Sequence, residues 1–207
     1  MAPSTESGSR WANTPESAGY RSRGSAGGRG AWANRARRLQ LISRTQHGKR
    51  SSSARTAWRL TRARFADRAF DGEGARLYGG RWNHQGVPVV YCAATLSLAA
   101  LELFVHLEAS EAPADLVTLA AEIPSSVSIE ELDSAVLPAD WRAYPAPDAL
   151  KELGTAWVRS GRTAVLSVPS VVIPRERNFL LNPSHPEFSQ ILLRNPEPFS
   201  FDPRMWK

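Results

Sequence analysis

Cysteine is almost absent from this 207-residue chain, which contains only Cys92. A single cysteine excludes an intrachain disulfide framework and any zinc site built from several cysteines. The four histidines lie in unrelated contexts without metal-ligand spacing, so no metal site is expected. No apolar run approaches the length of about 18 residues that a membrane span needs, and the N-terminus lacks the apolar core of a signal peptide. We therefore expect a cytoplasmic protein without membrane contact.

Several standard catalytic and nucleotide-binding motifs are also missing. The chain has no GxGxxG or Walker sequence, so neither common phosphate-binding loop is present. It has no GxSxG nucleophile elbow either. A hydrolase pair of Ser170 and His185 lacks an orienting acid in the sequence, which argues against a serine hydrolase.

Positive charge is concentrated at one end of the chain. Residues 1–55 contain eleven Lys and Arg and two acidic residues, a net charge of +9, whereas residues 56–207 carry −3. The first segment is rich in Ser, Gly, Ala and Arg and cannot bury enough apolar surface to offset its chain entropy. We predict a disordered basic tail, with a nucleic-acid-binding or partner-binding arm as the alternative. The acidic remainder gives no reason to expect direct nucleic-acid binding by the folded part.

The patterns in residues 56–207 predict a single α+β domain with many strands and few helices. Two helices are expected, one from a cap at Thr95 or Ser97 to about Leu107, the other from a cap at Asp148 to Gly161. The second helix should turn Leu150, Leu153 and Trp157 inward. Strands are predicted at 87–93, 116–123, 164–168, 171–173 and 190–194. In the first of them, alternation places Val87, Val89, Tyr91 and Ala93 on one face.

Glu102 is the first candidate functional residue. Its helix is apolar almost all round, which is typical of a buried helix. A carboxylate in such a helix is costly unless a partner compensates it. An exposed Glu102 that contacts His106 one turn later is the equally weighted alternative.

Other candidates lie in loops and strand ends. The glycines of the 78–83 loop allow close backbone approach to a ligand, and Arg81 beside them offers a planar fork for phosphate or carboxylate. An ordinary turn with an exposed arginine is the competing interpretation. Arg59 opens the folded part, and Ser170 interrupts a strand pattern. Residues 178–186 form a proline-punctuated loop in which Asn182 and His185 are turn-forming or structural.

In this order the features resemble the RES domain, a family named for an arginine, a glutamate and a serine. The similarity covers about residues 57–206. It is carried by five stretches: GARLYGGRWN at 74–83, GVPVVY at 86–91, ALE at 100–102, VPS at 168–170 and NFLLNPSHP at 178–186. The resemblance implies an ADP-ribosyltransferase-like fold of mixed, mostly antiparallel strands with a few flanking helices. It also implies a toxin that degrades NAD by hydrolysis or phosphorolysis and is neutralised by an Xre-type antitoxin.

The resemblance further implies that five residues line an NAD pocket: Arg59, Arg81, Tyr91, Glu102 and Ser170. NAD would be the substrate, and no cofactor is expected. The arginines would hold the phosphates or the adenosine ribose, and Tyr91 would stack on the cationic nicotinamide. Glu102 would stabilise the oxocarbenium-like sugar, while Ser170 adds a hydrogen bond to the ribose or the nicotinamide amide.

Partners and alternatives follow from the same resemblance. Nucleic acid would be contacted only through the antitoxin, and a homodimer or a larger toxin–antitoxin assembly is compatible with the sequence. A mono-ADP-ribosyltransferase that modifies a cellular protein is the first alternative. A non-catalytic module that binds the antitoxin or nucleic acid is the second.

Overall fold

A computed structural model describes residues 54–107 and 113–206 of the chain. The predicted basic tail lies outside these residues except for its last two positions. The described part contains strands β1 (Arg55–Arg62), β2 (Val90–Ala93), β3 (Leu116–Ile123), β4 (Ile129–Glu131), β5 (Val165–Pro169), β6 (Arg177–Leu181), β7 (Leu192–Leu193) and β8 (Glu197–Phe199). Its α-helices are α1 (Glu73–Tyr78), α2 (Leu96–Phe104) and α3 (Asp148–Ser160).

The strands of the described residues form one mixed sheet in the order β4-β5-β6-β2-β1-β3-β7, and β8 shares the outer edge of β3 with β7. Only β4 and β5 pair in parallel, and every other pair is antiparallel. The predicted α+β class, with mostly antiparallel strands and a few helices, is confirmed. None of the described helices is long and apolar enough to cross a membrane.

Each face of the sheet buries its own apolar cluster because side chains alternate along a strand. One face carries Ala57, Cys92 and Leu119 and packs on Phe70 from the segment after β1. The opposite face, here called the helix-covered face, packs under α2 and α3. Its cluster beneath α3 joins Val87, Val89, Tyr91 and Leu180 to Leu150 and Trp157. Ala93 packs against Leu98 and Ala99 of α2. The predicted single face for Val87, Val89, Tyr91 and Ala93 is therefore confirmed.

The helix that carries Glu102 begins where its cap was predicted. The Thr95 hydroxyl accepts a hydrogen bond from the Leu98 amide at 3.1 Å and so satisfies one free N–H of the first turn. The helix ends at Phe104 rather than Leu107. In α3, Asp148 is the first helical residue and Pro147 occupies the cap position, so the predicted Asp148 cap is wrong. The predicted stop at Gly161 is confirmed by its left-handed φ of 57°.

Two strand predictions near the C-terminus are wrong. Residues 171–173 form bends, because the Ser170 hydroxyl accepts a hydrogen bond from the Ile173 amide at 2.9 Å and turns the chain. The strand that follows β5 is instead β6, whose residues were assigned to a loop. The strand expected at 190–194 is reduced to the two residues of β7.

Candidate active site

Glu102 lies in the last part of α2 with a half-buried side chain. Its Oε1 accepts two short hydrogen bonds, from the Ser170 hydroxyl at 2.7 Å and from the Asn178 amide nitrogen at 2.6 Å. Among the described residues no group donates to Oε2, and His106 makes no bond to this carboxylate. The carboxylate is therefore held by residues distant in sequence, and its second oxygen has no donor in the described part of the chain.

Strand register explains why Asn178 meets this helix. Asn178 is directly opposite Ala93 of β2 and Val168 of β5, and Ala93 packs against α2. Directly opposed residues of antiparallel strands project to the same face. Asn178 consequently lies on the helix-covered face, and Ser170 comes two residues after Val168 where β5 has ended.

Ser170 is completely buried, and its hydroxyl is used in both directions. It donates its single proton to Glu102 and accepts from the Ile173 amide. The structure thus brings together two of the predicted site residues, and it directs the serine at the carboxylate. A bond from Ser170 to ribose or nicotinamide remains a prediction.

Asn178 was not among the predicted site residues. Its amide orientation is dictated by Glu102, because the reversed amide would place its oxygen against the carboxylate. In the orientation seen, Asn178 Oδ1 is buried and has no hydrogen-bond partner in the described residues. The sequence signal was present, since Asn178 opens the 178–186 stretch that supported the family resemblance.

The 79–83 loop is a tight turn closed over the side chain of Tyr91. Gly80 and Asn83 form an isolated β-bridge, and Gly79 adopts a φ of 72°. The Tyr91 hydroxyl donates to Asn83 Oδ1 at 2.7 Å and accepts from the Trp82 amide at 2.9 Å. Burial raises the pKa of Tyr91 above its usual range. The hydroxyl therefore supports the loop, while stacking of the ring on nicotinamide remains a prediction.

Arg81 is half-buried beside this loop. Its Nη1 donates to the carbonyls of Trp141 at 2.9 Å and Ala143 at 3.1 Å. Burial lowers the pKa of Arg81, and the Glu102 carboxylate acts in the opposite direction. The guanidinium and the carboxylate are thus within electrostatic reach of each other.

Arg59 is placed differently from the other candidates. Alternation along β1 puts Arg59 on the face of Ala57, opposite the helix-covered face. Its Nη1 donates to the Tyr91 carbonyl at 2.8 Å, while its buried Nε has no partner in the described residues. Burial also lowers the pKa of Arg59. The structure does not bring this guanidinium to Glu102, and its place in an NAD pocket remains a prediction.

Asn182 and His185 are turn-forming residues. Asn182 Oδ1 accepts from the Ser184 amide at 3.1 Å. His185 Nδ1 accepts from the Glu187 amide at 3.1 Å, and its Nε2 lies 3.1 Å from the Gly161 carbonyl oxygen. These contacts stabilise the segment after β6 and leave both side chains outside the cluster around Glu102.

Comparison with known proteins relates the chain to one family. The family described as the RES domain matches residues 56–202. The chain is 42% identical over 136 residues to "Prs ADP-ribosylating toxin" from a Sphingobium species, covering 65% of this chain and 84% of the relative. It is 39% identical over 149 residues to "Toxin Res" from Yersinia enterocolitica, covering 72% and 97% respectively.

A solved structure shares the fold. A chain of the M. tuberculosis MbcT–MbcA toxin–antitoxin complex superposes with a TM-score of 0.59 at 18% identity, covering 75% of this chain and 88% of that chain. The family match spans nearly all of the described residues, and the two relatives are 42% and 39% identical to this chain in sequence. The chain belongs to the RES domain family.

Proposed function

We propose that this chain is the toxin of a toxin–antitoxin pair and that it depletes NAD by cleaving the bond between nicotinamide and ribose. The observation that carries the proposal is the Glu102 carboxylate, which is anchored at Oε1 by Ser170 and Asn178 and has no donor at Oε2 within residues 54–107 and 113–206. Arg81 lies within electrostatic reach of it. A carboxylate with a cation within electrostatic reach suits a substrate that carries both a developing sugar cation and a pyrophosphate.

Cleavage of the nicotinamide–ribose bond requires a fixed negative charge near the ribose. When the glycosidic bond breaks, its electron pair moves to the pyridine nitrogen, so nicotinamide leaves as a neutral molecule. The ribose acquires oxocarbenium character, which a preorganised carboxylate stabilises as it does in glycoside hydrolysis. Water then attacks to give ADP-ribose and a proton, or phosphate attacks to give an ADP-ribose phosphate.

Arg81 can donate hydrogen bonds to the substrate from its Nε and Nη2 atoms. Within the part of the chain that the structure describes, only its Nη1 is bonded, to the carbonyls of Trp141 and Ala143. The guanidinium is therefore held in place by one nitrogen while Nε and Nη2 remain for a phosphate oxygen. We assign Arg81 to the binding of the NAD phosphates and Glu102 to the bond-breaking step.

Mono-ADP-ribosyl transfer is the second candidate function. It is favoured by the relative at 42% identity, whose name describes ADP-ribosylation. Transfer and hydrolysis share the same carboxylate and sugar cation and differ only in the nucleophile. In the transferase case a side chain of another macromolecule attacks in place of water.

The relatives named as toxins support an antitoxin partner, and the fold shared with a chain of a toxin–antitoxin complex is compatible with it. We propose a protein of the Xre type encoded next to this chain. Co-expression of the two should abolish toxicity and yield a stable complex. Persistent toxicity without a complex contradicts this part of the proposal.

The activity is tested by incubating the purified chain with NAD in three reactions, without phosphate, with phosphate and with cell extract, and resolving the products by mass. Nicotinamide with ADP-ribose identifies hydrolysis, and an ADP-ribose phosphate that appears only with phosphate identifies phosphorolysis. A mass increase on a protein in cell extract identifies transfer. Unchanged NAD in all three reactions refutes the proposal.

Glu102→Gln tests the residue. The glutamine oxygen can still accept from Ser170 and Asn178, so the fold should be kept while the charge is lost. We expect kcat to fall by about 100- to 1000-fold, the value of roughly 3–4 kcal/mol for a preorganised electrostatic contact. Glu152→Gln, on the exposed surface of α3, is the matched control and should turn over NAD normally. Wild-type turnover by folded Glu102→Gln would remove Glu102 from the mechanism.

A further inference from the structure

Asn178 combines two features that a purely structural asparagine does not need. Its amide nitrogen makes one of the shortest hydrogen bonds of the site, 2.6 Å to Glu102 Oε1. Its Oδ1 is buried without a partner in the described residues. Leaving a buried acceptor unpaired destabilises the folded state. Asn178 therefore donates to the Glu102 carboxylate in an orientation that lowers the stability of the folded state.

We propose that Asn178 is a positioning residue that, with Ser170, locks Glu102 so that Oε2 is the oxygen presented to the substrate. The inference rests on the proposed function and assigns the carboxylate its orientation. Asn178 acts through Glu102 and does not contact the reacting atoms.

Two donors are needed because of how a glutamate side chain moves. The terminal torsion of glutamate is broad and nearly two-fold, so an unanchored carboxylate exchanges its oxygens freely. Ser170 alone fixes one distance to Oε1, and Asn178 approaches the same oxygen from a different strand end. Together they fix the plane of the carboxylate before the substrate binds. Such preorganisation lowers the barrier without tightening ground-state binding.

The donor must also carry no charge of its own. Asn178 donates at every pH, and its neutral amide leaves the negative charge of Glu102 intact. A lysine or arginine at this position would neutralise the charge that the sugar cation requires. The charged group that does act on Glu102 from the neighbouring loop is Arg81, which we assign to the phosphates.

Asn178→Asp is the most specific variant because it keeps the shape and replaces the donor by a carboxyl group. The two carboxyl groups would lie within hydrogen-bonding distance, so they would share one proton and the pKa of the pair would rise. In the protonated pair the introduced carboxyl still donates to Glu102 and preserves its position. As pH rises the proton is lost, the two charges repel, and Glu102 leaves its position.

We therefore expect kcat of Asn178→Asp to fall more steeply with rising pH than kcat of the wild type does. Asn178→Ala should lower kcat about 10- to 100-fold at every pH, comparable to the loss from a small misplacement of a reacting group. KM for NAD should change by less than about threefold in both variants, because ground-state binding is not involved. Ser170→Ala should resemble Asn178→Ala.

Asn182→Ala is the matched control. Asn182 lies just beyond the other end of β6, and its side chain bonds to the Ser184 amide and the Val158 carbonyl. Its replacement should lower the melting temperature while the folded protein keeps the kcat and the pH profile of the wild type. If Asn178→Ala and Asn178→Asp behave like Asn182→Ala, Asn178 is a structural residue and the inference is wrong.

A measurement without NAD separates this inference from the proposed function. With glutamate carboxyl carbons labelled with ¹³C, NMR follows the Glu102 titration in the full chain. Asn178→Asp should show a coupled, two-step titration that is absent from the wild type. If this coupling appears but the wild type leaves NAD unchanged, the contact stands and the proposed function fails. If the wild type consumes NAD and the coupling is missing, the positioning role is overturned.

Discussion

Replacing Gly80 with alanine tests how closely the 79–83 loop sits on Tyr91. A methyl group on Gly80 would lie 2.5 Å from Tyr91 Oη, 2.8 Å from Asn83 Oδ1 and 2.9 Å from Tyr91 Cζ. All three distances are shorter than atoms in proteins tolerate. Tyr91 cannot retreat without breaking its bonds to Asn83 and to the Trp82 amide. The added methyl must therefore displace the hydroxyl or the loop.

The expected loss of stability can be worked from these contacts. Overpacking costs about 1–3 kcal/mol, and the two hydrogen bonds contribute about 1 kcal/mol each. Gly80→Ala should thus lower the free energy of unfolding by about 3–5 kcal/mol. Tyr91→Phe removes the same two bonds and should cost about 2 kcal/mol. In the double variant the methyl no longer meets a hydroxyl, so its cost should be smaller than the sum.

Urea unfolding of the wild type, both single variants and the double variant measures this coupling. We expect the double variant to be more stable than the sum of the two single losses by more than about 0.5 kcal/mol. Independent sites usually add to within roughly that amount. Gly74→Ala is the control, because Gly74 lies in α1 with nothing within 4 Å of an added methyl. It should gain roughly 0.5–1 kcal/mol from helix propensity. Additive losses, or a neutral Gly80→Ala, would refute the close packing of Tyr91 against the loop.

Three further predictions follow from the same structure. Arg81→Lys keeps the charge but loses the fork, so steady-state kinetics should show KM for NAD raised more than kcat is lowered, with exposed Arg159→Lys as the unaffected control. A shortened chain beginning at Ala54 should keep its melting temperature and NAD turnover; loss of both would contradict the charge-based division of the chain. Burial raises the pKa of the Cys92 thiol from 9.0 to about 12. The stability that comes from burying the neutral thiol is complete below pH 9.0 and is lost as pH rises to about 12, because the unfolded thiol ionises first. Cys92→Ala should flatten that part of the alkaline unfolding curve, and an unchanged slope would contradict it.

The sequence predicted well those elements whose ends have strong local chemistry. Thr95 caps α2 because its short hydroxyl reaches the Leu98 amide, and Gly161 ends α3 because it adopts a left-handed φ. Strand β6 was missed because its apolar run is only three residues long, between Asn178 and Asn182. Its strand character comes from pairing with β2 and β5 on both sides, and no local pattern records such distant pairing.

The site was predictable in its residue types and not in its geometry. An apolar helix with one carboxylate identified Glu102, and the partners that compensate it lie 68 and 76 residues away. For the two glycines of the 79–83 loop, the sequence left open a close approach to a ligand and an ordinary turn. The structure shows that Gly80 makes room for the Tyr91 hydroxyl of the same chain. Glycine marks a close approach in both cases, and only the fold identifies which group approaches.

Arg59 shows how strand alternation constrains a site. Trp58 packs against the cluster under α2, so its neighbour Arg59 must face the opposite side of the sheet. From there its guanidinium donates to the carbonyl of Tyr91, whose hydroxyl on the helix-covered face supports the 79–83 loop that contains Arg81. The series of contacts between Arg59 and the loop of Arg81 therefore runs through the backbone carbonyl and the side-chain hydroxyl of Tyr91. Arg59 is thereby connected to the candidate site through Tyr91, without a direct contact to Glu102.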